Sequence, residues 1–161
     1  MLRRITGFVA DEQGDMVALL DCGHRQHVRH RPPLFPNAWV LDPAQRAQRV
    51  GTALSCPPCG RAEPPDGLRV ERTLGPFDAQ SIPAALRHEH RTPHGGWARL
   101  CVERGALDLV LAVIGAPQTA PRRLRAGDTQ AIPPGVPHEV VIVAPVRCLL
   151  ELLAPEDAPP P

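Results

Sequence analysis

The chain has 161 residues, 43% of them apolar and 22% charged, which is enough for one ordinary domain or two small ones of soluble globular composition. Its 18 basic residues are all arginine and face 17 acids, so the net charge is only +1, which argues against a strongly electropositive nucleic-acid surface, though not against a local one. The longest apolar run, LVLAVIGA from Leu109, is too short to span a bilayer.

The start, MLRRITGF, has two arginines but no apolar stretch behind them, so no secretory signal is read and the cytoplasm is the expected location. With 21 prolines, 13 glycines, three phenylalanines and no tyrosine, strands and tight turns are expected in place of long helices. ITGFV (Ile5–Val9) reads as a strand, ADEQGD as a turn and MVALLD (Met16–Asp21) as a second strand. Cys22 follows at the strand end, in DCGHRQHVRH, a stretch of one cysteine and three histidines. A proline-rich link, RPPLFPNAW, then leads to LDPAQRAQRVG. There Asp42 is the N-cap, Pro43 the first helical position and Gly51 the stop of a helix too short to stand alone. TALSCPPCG sets Cys56 and Cys59 on a tight turn. A unit over residues 1–60 with Phe8, Phe35, Trp39 and a few aliphatics has a thin core, and domains of that size often lean on a metal. Residues 61–70, RAEPPDGLRV, read as a linker.

Structural zinc takes four Cys or His ligands tetrahedrally and supplies folding energy to small domains. Cys56 and Cys59 make one half-site, and Cys22 with one histidine makes the other. His24 is preferred because Cys-x-His brackets a glycine that permits the turn; His27 is the alternative ligand, and His30 reads as surface or as a neighbour of the ligands. A thiol redox pair or an inert pair are the competing readings of CPPC. A redox CxxC usually opens a helix in a βαβ context, which nothing here builds, so structural zinc ranks first. Cys101 and Cys148 stand alone in apolar stretches and read as small buried hydrophobes.

The stretch ITGF…DEQGD…CGHRQHVRHRPP…W, followed by GTALSCPPC, resembles a small bacterial domain family of unknown function whose hallmark is CGHxQHxRHxPP and a following CxxC. The likeness covers roughly residues 3–60 and includes Cys22, Gly23, His24, Gln26, His27, Arg29, His30, Pro32, Pro33, Trp39, Cys56 and Cys59. It supports a zinc-ribbon-like module and implies no chemistry. Four protein ligands leave no open position for water, so no catalytic residue is assigned.

Beyond the linker, strands are expected at Ala98–Glu103, Ala106–Val113, Gln130–Ile132, Glu139–Val143 and Val146–Leu153. Turns fall at Arg104–Gly105, Gly115–Pro121, Ala126–Asp128 and Pro133–Pro137. Short strands at near-regular spacing predict a sandwich or barrel over residues 71–154, with residues 155–161 a disordered tail. On a strand, His88 and His90 share a face, and His138 opens a later strand. Imidazoles from two strands, with His94 or the Glu151 carboxylate, could hold a second divalent metal (iron, manganese, nickel or zinc) in a barrel mouth. Metal-free alternatives are a small anion held by His90, His138 and Arg99, or exposed histidines with no role.

Gly127, Pro133, Gly135 and His138 resemble the second cupin motif, with Ile142 where its final asparagine belongs; the first motif is represented by His88 and His90, without its glutamate. The segment from residue 70 to 154 is also similar to the cupin-like domain of tellurite-resistance TehB-related proteins, at His90, Thr92, Trp97, Gly105, Pro134, His138 and Glu151. The resemblance implies a double-stranded β-helix and a link to stress or oxyanion biology. The methyltransferase domain of some relatives has no counterpart here, so tellurite methylation is not implied.

The expected architecture is therefore mainly β: a small zinc-ribbon-like N-terminal module followed by a single cupin-like β-barrel. A small-ligand or metal binding and sensing protein ranks first, with Arg99 and Trp97 as candidate ligand contacts. A metal-dependent oxygenase or isomerase using His88, His90, His138 and Glu151 ranks second. A zinc-ribbon adaptor contacting nucleic acid or protein through Arg25, Arg29 and Arg31 ranks third, because that stretch lacks aromatic residues for base stacking. Pairing through strand edges makes a homodimer the expected assembly.

Overall fold

A computed structural model describes residues 1–93, 95–112 and 121–157. The chain divides into two compact units, Met1–Pro57 and Pro58–Pro161, and it is mainly β as expected.

In the first unit, β1 (Leu2–Ala10) and β2 (Met16–Leu20) form the expected hairpin, in register from Ala10 opposite Met16 to Gly7 opposite Leu19, with a shift before Ile5 opposite Leu20. Asp11 shapes the turn between them. Its carboxylate accepts hydrogen bonds from the backbone N–H of Gln13 and Asp15, which the ADEQGD segment supplies without help from the core. A third strand, β3 (Arg25–Val28), pairs with the free side of β2, and β4 (Ala53–Ser55) pairs with the other side of β1. The sheet order is β3-β2-β1-β4, so β1 lies between β2 and β4. The β3 strand was hidden in the sequence by its chemistry: of Arg25, Gln26, His27 and Val28, only Val28 is a buried apolar residue.

Between β3 and β4 the chain makes a 3-10 turn over Ala38–Leu41 and then α1 (Pro43–Arg49). The Asp42 carboxylate accepts from the N–H groups of Ala44 and Gln45, and Pro43 sits where its missing N–H costs nothing. Helix α1 buries none of its residues, so a packed apolar face is not what holds it; Arg46 ties it back by donating to the Val40 carbonyl at 2.7 Å. Of the aromatic residues, the Phe8 and Trp39 rings meet edge-on at 5.9 Å and the Arg49 guanidinium lies 5.0 Å over Trp39, while Phe35 is exposed. A short helix, α2 (Pro57–Gly60), spans the division at Pro57; Cys56 immediately precedes it and Cys59 lies on it.

The second unit is built on two long strands, β7 (Trp97–Leu111) and β10 (Pro137–Pro155), antiparallel along their length. The other strands are β5 (Leu68–Asp78), β6 (His90–Arg91), β8 (Arg122–Arg125) and β9 (Thr129–Ile132). They attach in two sets. The first part of β7 and the last part of β10 are flanked by β9 and β5, giving β5-β10-β7-β9. The second part of β7 and the first part of β10 are flanked by β8 and β6, giving β6-β10-β7-β8. One apolar core joins both sets: Leu100, Ile132 and Leu150 come from one, Leu107, Leu109, Leu124 and Val140 from the other. Two four-stranded halves sharing strands and enclosing one core are the cupin-like barrel anticipated from the sequence.

Three differences from the expected elements have physical causes. Residues 68–70, read as linker, begin β5, whose mostly exposed residues on an edge strand show no clean alternation. Strand β8, RRLR, buries only Leu124, so its arginines mask it. The turn expected at Arg104–Gly105 is instead a bend within continuous β7, opposite a register shift in β10 between Ile142 and Val146. Val113 and most of the turn expected at Gly115–Pro121 lie outside the described residues, as do 158–161 of the expected tail.

The bend depends on Gly105. It has φ of +74°, and a Cβ there would stand 1.7 Å from the Pro145 carbonyl oxygen. Gly105→Ala therefore combines an unfavourable φ with a backbone clash where the two halves meet. It should destabilise the barrel by at least about 1–3 kcal/mol, read as a lowered urea midpoint, whereas Gly127→Ala, which meets no neighbouring atom, should cost only its φ strain.

Candidate functional site

Two turns on either side of β1 build the cluster in the first segment. After β2 the chain reverses through Asp21–Gly23: the Gly23 N–H donates to the Leu20 carbonyl at 2.9 Å, and the Leu20 N–H to the His24 carbonyl at 3.0 Å. Gly23 takes φ of +84°, which lets Cys22 and His24 point to the same side. After β4, the Cys56 N–H donates to the Met1 carbonyl at 2.6 Å, tying the second turn to the start of β1. Cys59 follows three positions later, on the short helix α2 that begins directly after Cys56, so the CxxC pair is a local feature.

These turns bring Cys22, His24, Cys56 and Cys59 together, with one ligand atom from each and all four within 4.8 Å of one another. The Cys22 and Cys56 sulfurs are 3.9 Å apart, and the Cys22 sulfur is 3.4 Å from His24 Nδ1. Zn–S bonds of about 2.3 Å and Zn–N bonds of about 2.0–2.1 Å at tetrahedral angles place two sulfurs about 3.8 Å apart, and a sulfur and a nitrogen about 3.6 Å apart. The spacing fits such an ion. All three cysteines are 1% exposed and none is in a disulfide, while His24 is partly exposed. Three thiolates and an imidazole are a donor set suited to zinc.

His27, the alternative ligand, is committed elsewhere: its Nε2 lies 2.9 Å from the Asp11 carboxylate on an exposed part of the sheet. His30 keeps Nδ1 buried with no hydrogen-bond partner among the described residues. Arg29 and Arg31 both donate to Asp15, so much of the basic character of RQHVRHRPP is neutralised within the unit.

In the barrel, β6 lies beside the start of β10 with His90 opposite His138. Their ring centroids are 3.9 Å apart, tilted by 56°. His138 is buried, and its Nδ1 meets the Val136 carbonyl at 2.8 Å; His90 Nδ1 meets the His88 carbonyl at 3.0 Å. A ring nitrogen facing a carbonyl must carry the proton, so in the neutral rings Nε2 is the free acceptor on both. The neighbouring turn is pinned by Thr92, whose hydroxyl donates to the Pro133 carbonyl and accepts from the Gly135 N–H.

The remaining candidates do not converge on this pair. His88 is exposed at the end of the 3-10 turn Ala84–Arg87. Glu151 lies far along β10, where its carboxylate accepts from Arg99 at 2.6 Å and from the Cys101 thiol at 3.5 Å. It stands opposite Arg99 in the register, both between the inward-facing leucines, so the pair is on the outer side of the sheet. Burial and the Glu151 charge hold the Cys101 thiol above its ordinary range. Trp97 is buried, and His94 lies outside the described residues. Among the described residues, the Cys22 cluster is the one group of three or more close metal-ligating side chains. The His90–His138 contact itself was not foreseen, because strand β6 spans only two residues and carries no pattern.

Burial pushes the His138 pKa below its ordinary 6.5 and the adjacent His90 adds to this, with the Val136 hydrogen bond opposing. The neutral ring is therefore favoured in the folded state. Stability should be level above about pH 6.5, where both states leave His138 neutral. It should fall as the pH drops below that value, because only the unfolded chain gains the proton, and level again below the lowered folded pKa. Urea unfolding between about pH 7.5 and pH 5 should show this slope, and His138→Gln should flatten it relative to the parent.

Residues 6–63 match the family model described as a protein of unknown function, DUF3565, and residues 72–150 match the TehB-like domain. No curated protein matches the chain. Among solved structures, TehB from Haemophilus influenzae is 17% identical, with 56% of this chain and 32% of that chain covered and a TM-score of 0.49. A protein from E. coli strain K12 is 19% identical, with 56% of this chain and 94% of that one covered and a TM-score of 0.49. The Drosophila melanogaster CENP-C cupin domain is 11% identical, with 91% and 74% covered and a TM-score of 0.37. This chain thus corresponds to 32% of the length of the H. influenzae TehB. No described helix is long and apolar enough to cross a membrane. The two family-model matches therefore lie side by side, residues 6–63 similar to DUF3565 and residues 72–150 similar to the TehB-like domain.

Proposed function

We propose that this chain is a zinc-stabilised binding protein. In this reading Cys22, His24, Cys56 and Cys59 hold one structural zinc, and the cupin-like barrel serves as a binding or sensing module for a small ligand. The observation that carries the zinc reading is the convergence of four ligand atoms within 4.8 Å, from two turns separated by 34 positions in sequence. Three cysteines and one histidine complete a tetrahedral shell, so the ion's contribution is to folding and not to turnover. The thin core of the first unit, with Ile5, Val17, Ala18, Leu20, Val28 and Val40 as its buried aliphatic residues, is consistent with a need for that contribution.

For the barrel, the support is the His90–His138 pair, whose two Nε2 atoms are left as acceptors beside a turn fixed by Thr92. Two neutral imidazoles there can accept from a protonated ligand, and protonated ones can donate to an oxyanion. The TehB-like match brings the stress or oxyanion-resistance link into this proposal, with tellurite and selenite as the first probes.

The zinc reading is tested by elemental analysis of protein purified without a histidine tag or added metal. One zinc per chain is expected. A Cys56→Ser, Cys59→Ser variant should carry none and lose the fold of its first unit, seen as protease sensitivity confined to that unit. Folded parent protein with no metal would overturn the reading.

A further inference from the structure

The cluster contains one thiol more than a Cys2His2 site. A zinc ion bound by three thiolates and a neutral imidazole leaves the set with a net charge of about −1, which keeps the sulfurs electron-rich. Two of the three, Cys22 and Cys56, are 3.9 Å apart and come from turns on opposite sides of β1. Their backbones are anchored independently of any metal: the Asp21 N–H donates to the Arg4 carbonyl at 2.9 Å, and the Cys56 N–H to the Met1 carbonyl at 2.6 Å. His24 is the ligand that solvent reaches, beside exposed Gly23, so a molecule as small as a peroxide has a route to sulfurs that are otherwise buried.

From this geometry we infer that the cluster is a redox exchange site, at which a peroxide converts the zinc-held form into one held by a Cys22–Cys56 disulfide. This rests on the zinc reading above and assigns the site a chemistry beyond support of the fold. One thiolate attacks the peroxide, breaking the O–O bond and forming a sulfenic acid with release of hydroxide. The other thiolate then displaces the sulfenic oxygen as a second hydroxide and closes the S–S bond. The two sulfurs together lose two electrons, and the peroxide gains them. Cys59 and His24, left as two ligands, no longer hold the ion, and zinc leaves. The new bond links the same two turns that the ion linked, so a crosslink across β1 is exchanged and not lost. The reverse step needs a thiol reductant and free zinc.

The test uses the full chain, first loaded to a measured zinc content, then treated with hydrogen peroxide in the presence of a chromophoric zinc chelator. The expected result is one zinc released for every two thiols lost, a Cys22–Cys56 crosslinked peptide in the mass spectrum, and recovery of zinc binding after a thiol reductant and zinc are added. A Cys101→Ser, Cys148→Ala variant should behave as the parent, since neither thiol belongs to the cluster. Retention of zinc under excess peroxide would overturn the exchange while leaving the structural zinc standing. So would release accompanied by a Cys56–Cys59 disulfide or by sulfinic acids. A chain that takes up no zinc at the loading step would overturn both.

Discussion

Two turns that flank the same strand bring three thiols and an imidazole within 4.8 Å of one another, and the proposed zinc depends on that convergence. β1 pairs with β2 on one side and with β4 on the other, and Cys22 follows the end of one neighbour while Cys56 follows the end of the other. The other packing in residues 1–57 is thin. Helix α1 buries no residue, the loop before it leaves Leu34 and Phe35 exposed, and the aromatic contacts reduce to Phe8 and Trp39. A domain of this size buries only about 60% of the surface its unfolded chain exposes, so an ion held by the cluster would add stability where the core adds little.

The barrel solves its own stability problem by different means. Its core is a leucine-rich cluster fed from both strand sets, and the bend that lets β7 and β10 serve both is set by Gly105 against Pro145. Charged pairs sit on its outer side: Arg99 with Glu151, Arg123 with Asp108, and Arg147 with Glu103. Each is at least partly exposed on the arginine side and contributes modestly at best. Gln130 and His138 are the barrel's buried polar residues among those described, and His138 meets His90 at the start of β10. A buried imidazole with one face against another imidazole is a costly place to put a proton, and that cost makes it the position where a ligand or a change of pH would register.

Much of this was legible in the residues because the chemistry was local. Cys22, Gly23 and His24, followed by CPPC, announce a ligand set because each half-site is complete within a few residues and needs only one long-range closure. Asp42 and Pro43 announce the start of α1 for the same reason. Legibility failed where a feature depends on partners distant in sequence. Strand β3 is an RQHV stretch that becomes a strand by pairing with β2, β8 is an arginine tract with one inward leucine, and β5 is an edge whose exposed residues carry no period. Glu151 looked available as a ligand because its sequence does not reveal that Arg99 lies opposite it across the sheet. His90 and His138 were each visible as candidates, but their ring contact was written in the pairing of β6 with β10, between residues 48 positions apart.

The most direct single measurement is X-ray absorption at the zinc edge on the metal-loaded chain. The account expects a four-coordinate shell of three sulfurs at about 2.3 Å and one nitrogen at about 2.0–2.1 Å, unchanged in a His27→Ala variant and altered in His24→Ala. A shell with two sulfurs and two light atoms, or one that loses a nitrogen when His27 is removed, would contradict it.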